Sequence, residues 1–218
     1  MITIFQHGEH ESSGEIGIYL QGRGLPFETK RLYETSEIPD ILPSRLILLG
    51  GQMSVNDTGD YPFFAAEKQV IRKMVAQKRA VLGICLGAQM IASAFGEKVY
   101  PLEKELGWCR VHGCGQDAGP RFPASFTVFH WHHETFNLPK GATLLSYGDT
   151  VKNQAFRLGS AVGVQFHPEV TLPIISHWAE DLGAQEKQKI LCESDRHLPG
   201  NARCCHYLVD AFARGWSA

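Results

Sequence analysis

The apolar run Ala80-Val81-Leu82-Gly83-Ile84 passes into the helix-like stretch 86–95 with only Cys85 between them. A short apolar run of this kind reads as a strand buried on both faces, and Gly96 can end the helix that follows. A strand that leads straight into a helix meets its next neighbour by a crossover, which favours parallel pairing. The same alternation fills the first half of the chain. Residues 2–5 read as a strand, 15–21 as a helix ending at Gly22-Arg23-Gly24, and 28–32 as the next strand. Residues 45–49 form another buried strand closed by Gly50-Gly51, and 64–78 a helix with Phe64, Val70, Ile71, Met74 and Val75 on or near one face. Repeated units of this order predict an α/β fold, a three-layer, doubly wound, mainly parallel sheet.

From about Val99 to Phe166 the pattern changes to short runs at 108–112, 126–131, 143–147, 154–157 and 161–166, separated by Gly, Pro and Asn. These predict an antiparallel β extension. Residues 172–216 read as helical with a break around Leu198-Pro199-Gly200-Asn201. At 218 residues, the chain is expected to form one domain spanning 1–218.

Net charge is −2, so no strongly basic face is expected, and neither nucleic acid nor a membrane surface is an expected partner. The first residues are apolar only briefly before Gln6-His7-Gly8, unlike a signal peptide, and no apolar run approaches a membrane span. Six cysteines follow no disulfide framework. A soluble, reducing, cytoplasmic setting is expected, with thiols free for chemistry.

Gly83-Ile84-Cys85-Leu86-Gly87 has the small-x-nucleophile-x-small pattern of a nucleophile elbow, with cysteine in place of serine. A side chain at the tip of so tight a bend needs strained backbone angles, and flanking glycines let the neighbouring chain pass closely. The helix N-terminus favours thiolate, and the Leu86 N–H is left to face a developing oxyanion. Taken alone, the pattern also suits a small buried cysteine in a sheet core. A second pattern, Gln165-Phe166-His167-Pro168-Glu169, closes a strand far downstream. In extended chain His167 and Glu169 share a side, as a base and its orienting carboxylate must. A third, Leu48-Leu49-Gly50-Gly51-Gln52-Met53-Ser54-Val55, places a glycine turn at the carboxyl end of a strand, where Gly51 can offer a second oxyanion donor.

Together these three segments resemble class I (triad) glutamine amidotransferase domains. Trp131-His132-His133-Glu134-Thr135-Phe136-Asn137-Leu138-Pro139 and Asn153-Gln154-Ala155-Phe156-Arg157 further resemble the free-standing, GMP-synthase-like members. The resemblance implies that Cys85 attacks a γ-carboxamide to give a γ-glutamyl thioester and ammonia, with His167 as base and acid and Glu169 orienting it. It implies an oxyanion hole from Gly51 and Leu86. Gln89, one helical turn beyond Cys85, would help bind substrate, as would the backbone of His132 and His133 and the Glu134 side chain. No cofactor and no metal are implied. Glutamine or another γ-glutamyl small molecule is the expected ligand, and a separate synthetase subunit the expected ammonia acceptor, because no synthetase domain follows the triad. Two departures bear on substrate: Gln52 stands where the family usually has proline, and Glu134 where it usually has Asp.

Two other activities compete, a γ-glutamyl peptide hydrolase acting alone and a cysteine peptidase or stress protein of the DJ-1/PfpI group. A silent binding module is disfavoured by the intact triad. His130, His132 and His133 on alternate strand positions suggest a metal site, but no cysteine or carboxylate cluster completes the ligand set at standard spacing. Cys204-Cys205-His206 with His197 reads as a packed helix, not a zinc site. Glu103-Lys104-Glu105 and residues 185–189 read as solvated faces, and Trp178 and Trp216 as core or interface packing.

Overall fold

The structure, a computed structural model, describes residues 1–115 and 119–216. The first half runs β1 (Ile2–Gln6), α1 (Gly14–Gly22), β2 (Phe27–Arg31), α2 (Leu32–Thr35), β3 (Arg45–Leu48), α3 (Phe63–Ala76), β4 (Val81–Ile84) and α4 (Leu86–Ala94). The second half runs β5 (Val99–Gly113), β6 (Phe126–Phe136), β7 (Thr143–Gly148), β8 (Ala155–Leu158), β9 (Ala161–Val164), α5 (Leu172–Trp178) and α6 (Ala184–Ala213).

Side chains on successive strand residues point to opposite faces, and this divides the core in two. Ile2, Ile4 and Ile47 pack on one face with Ile16 and Leu20 of α1 and Leu208 and Phe212 of α6. Phe5, Leu46 and Leu48 pack on the other with Phe64, Ile71 and Met74 of α3 and Ile91 of α4. Helices on both faces of one sheet make the three expected layers. The nine strands lie in the order β2-β1-β3-β4-β9-β8-β7-β5-β6. Pairing is parallel from β2 to β9 and antiparallel from β9 to β6, so the β extension continues the same sheet.

Three local readings need correction. The chain does not break at Pro199, because α6 continues through it. A proline costs a helix one hydrogen bond and some strain, but α6 buries Ile190 and Ser194 before it and Asn201, Cys205 and Leu208 after it. Packing on both sides holds the helix together where local propensity would end it. Glu105 is not on a solvated face; it is buried. The β5–β6 ladder shifts register between Pro101 and Glu105, and Glu105 then stands directly opposite His132. The short helix α2 replaces the end of the second expected strand at Leu32.

The packed-helix reading of Cys204-Cys205-His206 holds. Burial pushes the Cys204 thiol up to about 12 and that of Cys205 well above its usual range. His206 bonds Glu15 at 2.6 Å and stacks on Tyr19. Trp216 is core packing, its indole N–H donating to Ser160 O at 2.8 Å.

Candidate active site

Cys85 occupies the bend between β4 and α4 with φ 49° and ψ −105°, a strained conformation for a residue with a side chain. Its N–H donates to Val164 O at 2.8 Å, and its carbonyl accepts from the Ala88 and Gln89 N–H groups at 3.0 Å each. The flanking glycines are required by space. A Cβ on Gly83 would overlap the Gly87 carbonyl, and one on Gly87 would overlap Leu48 O and come within 2.7 Å of Leu48 Cβ. The Leu86 N–H belongs to the first turn of α4, where helical N–H groups lack an intrahelical acceptor.

His167 lies on a loop held at four backbone points. Its N–H donates to Phe129 O at 2.7 Å, and the Asn201 amide donates to the carbonyls of His167 at 3.1 Å and Pro168 at 3.0 Å. The Glu169 carbonyl accepts from the Glu15 N–H at 2.8 Å. The continuous helix through Pro199 is what delivers Asn201 to this loop. Trp178 sets its ring against the imidazole, with centroids 5.0 Å apart at 77°.

The side chains then converge. His167 Nδ1 lies 2.8 Å from Glu169 Oε1, and both residues are buried. Nε2 has no hydrogen-bond partner of ordinary geometry among the described residues, while the Cys85 sulfur stands near enough to act on the ring. The Gln165 amide donates to Cys85 Sγ at 3.5 Å. A Cβ on Gly50 would meet the His167 ring at 3.0 Å and Cys85 Cβ at 3.8 Å, so the loop after β3 closes over both. A Cβ on Gly51 would come within 2.7 Å of Leu86 Cδ2, which puts the two expected oxyanion donors in adjacent residues of the site. Behind this loop His7 donates from Nε2 to Glu67 at 2.9 Å and from Nδ1 to Leu49 O at 3.1 Å. Burial opposes its charge, but Glu67 prevails and raises its pKa.

Burial likewise disfavours a charged His167, yet Glu169 and Cys85 outweigh it and raise the ring to about 10. A histidine raised from 6.5 stabilises the folded state fully below 6.5, and that contribution is lost as pH rises toward 10. The urea midpoint is therefore expected to fall over this window. In Glu169→Gln the fall should be shallower, and an identical pH profile in the two proteins would contradict the assignment.

Cys85 and His167 line the buried end of a cleft of about 670 Å³. Gln89, His132, His133 and Glu134 line it too, so all the expected binding residues meet in one place. Gln89 donates to Glu134 O at 3.2 Å, and the Glu134 carboxylate accepts from Ser54 Oγ at 3.0 Å. Gln52 donates to Glu11, which also faces the cleft. Trp131, Trp178, His10 and His177 supply aromatic walls. Sequence reasoning gave no role to Gln165, Asn201, Glu11 or Glu105. Gln165 alone carried a signal, as a member of the His167 motif.

The model for the class-I glutamine amidotransferase family matches residues 12–175. A glutamine amidotransferase-like protein of Salmonella typhimurium is 31% identical over 202 residues, covering 84% of each chain. One of the subunits of a glutamine-hydrolysing GMP synthase from Archaeoglobus fulgidus is 30% identical over 174 residues, 77% of this chain and 87% of that one. Longer GMP synthases of Macrococcus caseolyticus and Bacillus pumilus match 62% of this chain but only 26% of their own length. A crystal structure of a glutamine amido transferase from Methylobacillus flagellatus is similar with a TM-score of 0.90 at 27% identity, covering 99% of this chain and 95% of its own.

Proposed function

Because this chain belongs to the class I glutamine amidotransferase family of cysteine-dependent amidohydrolases, we propose that residues 1–218 act as one such domain through a Cys85-His167-Glu169 triad. The observation that carries the reading is the Cys85 elbow beside a buried His167, itself bonded to Glu169 at 2.8 Å, at the end of an open cleft. The thiol proton passes to His167, and sulfur attacks the γ-carboxamide carbon. Negative charge gathers on the carbonyl oxygen, where the Gly51 and Leu86 N–H groups face it. The C–N bond breaks as His167 returns the proton to the leaving nitrogen, giving ammonia and a γ-glutamyl thioester. Water then gives a proton to His167 and its oxygen to the acyl carbon, releasing glutamate and restoring the thiol.

The substrate's α-carboxylate and α-amino groups are assigned to the segment His132-His133-Glu134, with Gln89 bracing it through Glu134 O. A second reading has a specific observation in its favour. The cleft volume is typical of pockets for drug-sized ligands, and its tryptophan and histidine walls extend beyond what a lone γ-carboxamide touches. A γ-glutamyl peptide, losing an amine in place of ammonia, would fill it. In the first reading ammonia passes to a separate synthetase subunit; in the second the chain acts alone. A cytoplasmic setting suits both, and no helix among the described residues is long and apolar enough to cross a membrane.

The deciding experiment measures ammonia release from glutamine and amine release from γ-glutamyl dipeptides, with Cys85→Ala as control. Turnover of glutamine, raised by a copurifying synthetase, supports the first reading, and preference for the dipeptides the second. Cleavage of ordinary peptide bonds, with no labelling of Cys85 by a glutamine-analogue diazoketone, would overturn both in favour of a DJ-1/PfpI-like activity.

A further inference from the structure

On the wall of the cleft, three buried donor atoms converge from two strands. Glu105 of β5 stands opposite His132 of β6, and His130 lies two residues along β6 on the same face. Glu105 Oε2 is 3.2 Å from His130 Nδ1 and 3.1 Å from His132 Nε2, and the two ring nitrogens are 3.2 Å apart. These are the sides of a nearly equilateral triangle.

Proton counting shows that something is missing from its centre. His132 Nδ1 lies 3.1 Å from Glu134 O, a carbonyl that can only accept, so Nδ1 carries the hydrogen. In a neutral ring, Nε2 then presents a lone pair to the Glu105 carboxylate. A proton on Nε2 would remove that repulsion, but His130 must also donate to the same oxygen, and two N–H groups would be pressed together at 3.2 Å. One cation shared by the three atoms satisfies all of them. Donors bound to a metal at about 2.0–2.1 Å in tetrahedral arrangement stand about 3.3 Å apart, close to the sides observed.

We propose that Glu105, His130 and His132 bind one divalent first-row transition metal, of which Zn(II) is the type. This site stands independently of the triad. Two imidazoles and a carboxylate suit such ions, and water would complete the coordination. An outer layer of bonds is already in place. His132 Nδ1–H donates to Glu134 O, Gln154 Nε2 donates to Glu105 Oε2 at 2.8 Å, and the Val151 N–H donates to Oε1 at 3.3 Å. Beside the cluster, His130 Nε2 and Gln154 Oε1 are buried without a partner among the described residues, so protein groups alone leave this network incomplete. The sequence reading set the metal aside for want of a carboxylate. The register shift before Glu105 supplies it. The ion would pin the end of β6 to β5 just before His133 and Glu134, fixing a cleft wall without entering the chemistry at Cys85.

The test titrates chelator-treated protein with Zn(II) and Co(II). One equivalent of Co(II) should bind with visible absorption of a low-symmetry site, and X-ray absorption on the Zn(II) form should show two imidazoles and no sulfur. Glu105→Gln and His130→Gln should each weaken binding by more than the roughly 10–100-fold that outer-shell changes cost. Cys85→Ala should bind as the unaltered protein does. Sulfur in the coordination shell, or undiminished binding in both variants, would overturn the site. So would failure of the unaltered protein to take up either ion, with nitrogen NMR showing a cationic His132; this arm decides even if neither variant folds.

Discussion

Cys85→Ala is expected to lower turnover of the best γ-glutamyl substrate by about 10⁴-fold or more while the chain stays folded. The size follows from what is removed. Sulfur forms the covalent bond, and without it only the oxyanion donors and the binding groups remain, which elsewhere leave activities many orders below the intact enzyme. The fold should survive because the substitution keeps Cβ and the backbone bonds of Cys85 to Val164, Ala88 and Gln89. The one side-chain bond lost is the long contact from the Gln165 amide to Sγ at 3.5 Å. A stability cost near 1 kcal/mol is expected. One further readout separates loss of chemistry from general damage. His167 owes part of its raised pKa to Cys85, so its imidazole should titrate below about 10 in the variant yet stay elevated by Glu169. Chemical-shift titration of that histidine and a single-turnover assay check the two halves. Retained turnover would remove Cys85 from the reaction.

Much of this site was legible because its key residues sit where strands end and special backbone shapes are needed. Gly83, Cys85 and Gly87 mark the elbow by composition alone, since no other residue types permit the approach of β3 to α4. His167 and Glu169 were legible as alternate residues flanking a proline. The strands buried on both faces, such as Val81–Ile84, read as apolar runs because each face is covered by helices. What was not legible depends on distant packing. Glu105 sits in a Glu-Lys-Glu run that any local reading places in water, and only a register shift against β6 turns it inward. Asn201 follows Pro199-Gly200, the signal of a break, yet the long-range burial of α6 keeps the helix going and carries its amide to the His167 loop. Trp178 was read as packing, and it does pack against His167, but α5 also brings it to the cleft.

Gly87→Ala is expected to destabilise the protein by more than about 3 kcal/mol, far beyond the usual loss on a conservative change. The new methyl would overlap Leu48 O and lie 2.7 Å from Leu48 Cβ. The carbonyl belongs to the backbone of a central parallel strand, so no side chain can simply swing aside. α4 must retreat from β3, and it carries Ala88, Met90 and Ile91 out of a close-packed face. Gly22→Ala is the matched control. It also lies in a helix, but its Cβ would meet nothing within 4 Å, so the intrinsic preference of alanine should leave stability equal or up to about 1 kcal/mol higher. Urea unfolding of both variants measures the contrast, and equal midpoints would refute the packing argument. The same retreat has a chemical consequence. Cys85 and the Leu86 N–H move with the start of α4, whereas His167 is tied to β6, α6 and α1 through Phe129, Asn201 and Glu15. Displacement of about 1 Å between nucleophile and base costs on the order of 100-fold in rate. Gly87→Ala protein assayed under conditions where it remains folded should therefore turn over slowly per folded molecule, which a loss of stability alone would not produce.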